Sequence, residues 1–94
     1  MRIENVIWLE TIVEKLQAKH KVRPEEVLEV LESEPHFRFA EKGHHEGEDV
    51  YAALGQADAG RYLIVFFVYK QDRQALIVSA REMTRSERGF YERR

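Results

Sequence analysis

The apolar residues of this 94-residue chain change period once, from helical to extended, and that change predicts an α+β domain. Three observations carry the prediction. Val6, Leu9, Ile12, Val13 and Leu16 recur at three- and four-residue spacing. From His36 onward, apolar residues alternate or run together, with β-branched and aromatic side chains prominent. Thr84-Arg85-Ser86-Glu87 then has the form of a helix-starting capping box. The expected architecture is two N-terminal helices, a small four-stranded antiparallel sheet and a short C-terminal helix, all in one domain over residues 1–94.

The first helix is expected to include Val6 and Leu9 on its buried face and to end near His20, with Glu10, Glu14, Lys15, Gln17 and Lys19 outside. Pro24 marks the start of the second helix, because its missing N–H costs nothing in a first turn. Glu25 and Glu26 suit the positive end of that helix dipole, and Pro35 stops the helix by disfavouring helical geometry at Glu34. Strands are predicted over His36–Glu41, Asp49–Gln56, Arg61–Tyr69 and Ala75–Ala80. The third of these, with its continuous run Tyr62 to Tyr69, has the composition of a central strand covered on both faces. The last helix starts at Thr84 and runs towards Tyr91.

Composition narrows the chemistry. The absence of cysteine excludes disulfides, thiolate catalysis and cysteine-ligated metal sites. The eight-residue apolar run is far too short for a membrane-spanning helix, and MRIENVIWLE lacks the features of a secretory signal, so a cytoplasmic protein with no membrane contact is expected. Residues 61–94 hold eight Arg or Lys against four Asp or Glu, whereas residues 1–60 hold seven against thirteen. Such a split can set a basic face for nucleic acid beside a solvated acidic one.

The C-terminal third concentrates the side chains able to bind phosphate. Arg61 opens one predicted central strand, Tyr69 and Lys70 close it, Arg81 closes the next, and Arg85 and Arg88 follow on the helix. Guanidinium groups converging at a sheet-to-helix junction suit bidentate phosphate recognition, and Tyr69 and Tyr91 offer stacking surfaces for bases. Neutralisation of these arginines by Glu82, Glu87 and Glu92 is the competing reading. Whether Arg61 and Arg81 share a sheet face depends on the loop Lys70–Gln74: an odd turn puts them together, an even one apart. His20 suits the negative end of a helix dipole, as a cap or as a site residue. His36, His44 and His45 show no ligand spacing and are read as incidental.

The run from Val78 to Tyr91 (VSAREMTRSERGFY) resembles the C-terminal signature of the BrnT toxin family: an "ISAR" strand end, then a Thr/Arg/Glu-rich helix with a late Tyr. Gly47-Glu48, Ala53-Leu54-Gly55, Gly60-Arg61, Trp8, Lys19-His20, Val22 and Glu25-Glu26 extend the resemblance over essentially the whole chain. The resemblance implies a RelE-like fold and a ribonuclease toxin of a type II toxin–antitoxin module, neutralised by a BrnA-like antitoxin. It implies RNA cleavage without metal or cofactor, in which the substrate's own 2′-OH attacks the neighbouring phosphorus. On that basis Arg81, Arg61, Tyr69 and His20 are the candidate catalytic residues, and Arg85, Arg88, Lys70, Lys19 and Tyr91 the candidate RNA-binding ones.

The chain also departs from the family pattern. Leu9 follows the Trp where the family often has Asp, Ile12 and Leu16 stand for a usual Lys and Asn, Leu76 stands for a frequent Arg, and Lys70 for another. These apolar replacements support an alternative reading, a non-catalytic interaction domain that keeps the toxin fold. Assembly into a homo-oligomer is left open by the sequence.

Overall fold

The computed structural model describes every residue from Met1 to Arg94. Strand β1 (Asn5–Ile7) leads into helix α1 (Glu10–Lys15), which continues directly into a π-helical turn over Leu16–His20. Helix α2 (Pro24–Glu32) follows, then β2 (His36–Glu41), β3 (Val50–Gln56), β4 (Tyr62–Lys70), a 3₁₀ turn over Gln71–Arg73, β5 (Gln74–Glu82) and helix α3 (Arg85–Arg93). The five strands form one sheet in the order β1-β5-β4-β3-β2. The helix from Pro24, the antiparallel run β2 to β5 and the C-terminal helix follow the patterns, whereas the first helix begins later than its spacing suggests.

The expected four-stranded antiparallel sheet is corrected to a five-stranded mixed one. Asn5, Val6 and Ile7 pair in parallel with Gln74, Ala75 and Leu76. Val6 therefore belongs to a strand, and the first helix begins only at Glu10, with Leu9 as its N-cap. The helical spacing misleads because Val6 does face the same core as Ile12 and Leu16, but from a strand edge. A three-residue parallel pairing is closed by a partner some seventy positions away, and no local periodicity reports it.

One face of the sheet carries α1, the π turn and α2. The principal core lies between them, with Leu16, Val22, Val27 and Val30 meeting Leu63, Val65, Phe67, Ala75, Ile77 and Ala80. Gly55 lets α2 and the segment after it come close: a Cβ there would lie 3.1 Å from Val30 Cγ1 and 2.9 Å from Ser33 Oγ. The other face carries only α3, which seats the buried Tyr91 on Ala52, Leu54 and Ile64. The Thr84–Glu87 capping box forms as predicted, each residue's side chain accepting from the other's backbone N–H at 3.1 and 2.9 Å.

Candidate functional site

The two arginines that the sequence singles out sit at the same end of the sheet, each bound to a glutamate. Arg61 enters β4 under α2. Its Nη1 donates to both carboxylate oxygens of Glu26 (2.9 and 3.0 Å) and to the carbonyl oxygen of Lys21 (2.9 Å), while Nη2 reaches Glu82 (3.3 Å). Glu26 is 4% exposed and also accepts the backbone N–H of Arg23 at 3.1 Å. This arrangement pins the basic segment Lys19–Arg23, with Lys21 in left-handed geometry at φ 56°, to the sheet. The guanidinium is consumed by the fold.

Arg81 leaves β5 towards α3. Its two terminal nitrogens grip Glu87 in a parallel fork at 2.7 and 2.9 Å, and its guanidinium lies 5.5 Å from the Phe66 ring centroid. These hydrogen bonds pull the Glu87 carboxyl from 4.5 down to about 2, with help from the Thr84 N–H and against its partial burial. The same pairing raises the Arg81 pKa further. Arg38 of β2 approaches the same carboxylate to 3.9 Å, with its guanidinium 5.3 Å from the Phe90 ring centroid.

Arg61 and Arg81 lie on opposite faces of the sheet, so the two do not form a joint phosphate site. The turn after β4 is odd, three residues long, and Lys70 pairs with Gln74. Parity alone would put the arginines together. A β-bulge intervenes: Phe67 pairs with Ile77 but Phe66 with Ser79, leaving Val78 as the extra residue. Arg81 then pairs with Ile64 and turns to the α3 side, while Glu82 pairs with Leu63 and reaches Arg61.

The other candidates divide by position. Arg85 and Arg88 are exposed on α3, Arg88 with its guanidinium 3.9 Å from the Tyr62 ring centroid. Lys19 is exposed and His20 half-buried at the end of the π turn, which packs against β5. Tyr69 and Lys70 lie at the far end of β4, about 26 Å from Arg61 along the strand. The Tyr69 hydroxyl donates to the Arg2 carbonyl oxygen. Tyr91 is buried at 9% exposure and presents no stacking surface. Sequence reasoning passed over Arg38, Lys21 and Arg23. The alternation His36, Phe37, Arg38, Phe39 does put Arg38 on the face opposite Phe37, which was the available signal.

Exposed cations lie on both faces near the sheet end of Arg61 and Arg81, Lys19, Lys21 and Arg23 on the α2 side and Arg85 and Arg88 on the α3 side, with Glu82 exposed between them and Glu92 3.7 Å from Arg88. Residues 8–87 match the family model described as "Ribonuclease toxin, BrnT, of type II toxin-antitoxin system". The chain belongs to the BrnT family. The match spans both N-terminal helices, β2 to β5 and the Thr84–Glu87 cap, which is the part of the fold that builds both arginine centres. Membership in a family so described implies an antitoxin partner and an RNA substrate. No curated protein matches the chain. No helix is long and apolar enough to cross a membrane.

Two of the family departures have a structural account. Leu16 is 2% exposed within the principal core, and Ile12 packs against it, so both replacements serve packing. Leu9 is 48% exposed, and Leu76 lies half-buried on the α3 side of the sheet, beside Ile7.

Proposed function

We propose that this BrnT-family chain is a cytoplasmic, metal-independent endoribonuclease toxin that binds RNA along the exposed cations of this sheet end and is held in check by a protein antitoxin. The family match over residues 8–87 carries the proposal. The supporting geometry is the concentration of exposed lysines and arginines at one sheet end, braced by Arg61 and Arg81.

In the reaction envisaged, the 2′-oxygen bonds to the adjacent phosphorus as the bond from phosphorus to the 5′-oxygen breaks. The products are a 2′,3′-cyclic phosphate and a 5′-hydroxyl end. The 2′-OH proton passes to solvent water, which balances against the proton gained by the 5′-oxygen. His20, at the end of the π turn on the sheet face opposite Arg81, does not share the phosphate that Arg81 would meet and sits instead beside the Lys19–Arg23 segment. Arg81 is the candidate for the charge that grows on the phosphate oxygens, and Lys19, Arg85 and Arg88 for flanking phosphates. Arg61 acts as a positioning residue, holding the Lys19–Arg23 segment through Glu26 and the Lys21 carbonyl. Tyr69 and Lys70 are too distant to join this centre, and contact RNA only where a strand continues along β4.

The alternative, a non-catalytic interaction domain, is favoured by the tight Arg81–Glu87 fork, which occupies the guanidinium most suited to the transition state. Purified wild type and Arg81→Ala, incubated with a structured RNA in the presence of EDTA, separate the two. Cyclic-phosphate ends produced by wild type and reduced at least about tenfold in the folded variant support the nuclease. Intact RNA with both proteins moves the assignment to the interaction domain.

A further inference from the structure

We propose that the half of the sheet left open beside α3 is the docking surface for an amphipathic helix of the antitoxin, apolar on one side and carrying a carboxylate at its margin. The proposal rests on the toxin–antitoxin reading above and adds where the partner sits. Helix α3 is nine residues long, about 13 Å, and lies over Ala52, Leu54 and Ile64 near one end of the strands. Towards the other end, Ile7, Leu76, Val78, Phe66 and Val50 share the same face, each half-buried and not sealed by a helix, although Phe66 also packs against the α3 cluster and the β2–β3 loop borders Val50 and the buried Val68.

That composition is the opposite of what a solvated face requires. On a sheet with one wet face, these alternate positions are expected to be polar. Here the register places aliphatic side chains across β1, β5, β4 and β3 in one row, Ile7 and Leu76 beside Val68 and Val50. The bulge adds Val78 to them. Together with Ala40, Glu41 and Ser79, three of these residues line a shallow cavity of about 400 Å³. The four strands of this row are separated by three spacings, a width of roughly 14 Å, enough for one helix about 10 Å across alongside α3.

The floor and the margin identify the occupant. Aliphatic side chains offer RNA neither donors nor a run of stacking rings, whereas they match the apolar stripe of a helix. At the margin next to α3, Arg38 and Arg81 share the single carboxylate of Glu87, leaving one positive charge in excess. The Arg38 side chain is 40% exposed and makes no hydrogen bond, its nearest carboxylate oxygen being 3.9 Å away. A partner carboxylate at that edge would complete the cluster. Leu76, where the family frequently has arginine, lies within the same floor.

Calorimetric titration of the purified chain with a separately purified BrnA-like antitoxin tests the proposal. Val78→Glu is expected to weaken binding at least about 100-fold and Arg38→Glu about tenfold, with thermal unfolding confirming that each variant folds. Arg38→Glu alone decides the matter should Val78→Glu fail to fold. Wild-type affinity in the folded variants overturns the proposal, as does the absence of antitoxin binding by wild type. Loss of dimerisation in Val78→Glu with antitoxin binding intact assigns the face to a second copy, and loss of RNA binding alone assigns it to RNA; either result overturns the proposal. Failure of the toxin reading shows separately, as intact RNA and normal growth when wild type is expressed without antitoxin.

Discussion

The two arginine–glutamate centres use the same residue pair for different ends. Arg61 and Glu26 meet between α2 and the sheet, where the Glu26 side chain is 5% and the Arg61 side chain 28% exposed. Arg81 and Glu87 meet between α3 and the sheet, at 33% and 15%. The first centre is closed: carboxylate and guanidinium are both satisfied by the chain itself, and losing Arg61 leaves the buried Glu26 carboxylate with only the Arg23 N–H and the Arg23 guanidinium at 3.8 Å. The second is open at one side, where Arg38 waits at 3.9 Å with unfilled donors. The depth and completeness of each pair, rather than the identity of the residues, separate an arginine enclosed by the fold from one with a second arginine's unfilled donors beside it.

The largest expected effect follows from opening the closed centre. Arg61→Ala leaves the buried Glu26 carboxylate with Arg23 alone as its partner and should cost about 3 kcal/mol, or roughly 15 °C in thermal midpoint. Adding Glu26→Gln should recover part of that loss; an Arg61→Ala protein as stable as wild type would erase the distinction drawn between the centres. Arg81→Ala should cost only about 1–2 kcal/mol, because the pair is more exposed, yet remove most RNA cleavage. A reversed order of the two unfolding midpoints would break the comparison outright.

Acid should discriminate the centres next. Glu87 binds its proton less readily folded, at about 2, than at its ordinary 4.5, so the stability it contributes is present above pH 4.5 and is lost as pH falls towards 2. Wild type should therefore lose thermal stability more steeply than Glu87→Gln across that window, and parallel curves would contradict the fork's role. The smallest effect is expected from Tyr69→Phe. It removes one hydrogen bond to the Arg2 carbonyl at the far end of β4, costs about 1 kcal/mol and leaves cleavage unchanged. A large loss of cleavage in that variant would return Tyr69 to the active centre.

Much of the fold was legible in the residues. Pro24, Pro35 and the Thr84–Glu87 box marked helix ends because caps and prolines act within a few residues of themselves. The strands β2 to β5 were legible from alternation and from β-branched and aromatic runs, again local signals. The family signature from Val78 to Tyr91 was legible too, and with it the partner and substrate class.

What the sequence by itself determined was therefore the set of elements, their order, the family and the wealth of cations near the last strand. Tertiary structure alone decided the fifth strand, since Asn5–Ile7 acquires meaning only against Gln74–Leu76. It also decided which arginines act together. A single unpaired residue, Val78, inverts the parity of everything after it on β5, sending Arg81 to α3 and Glu82 to Arg61. Side chains alternate with period two, so one inserted residue exchanges the faces, and whether a strand bulges is settled by packing across the sheet rather than by the strand's own residues.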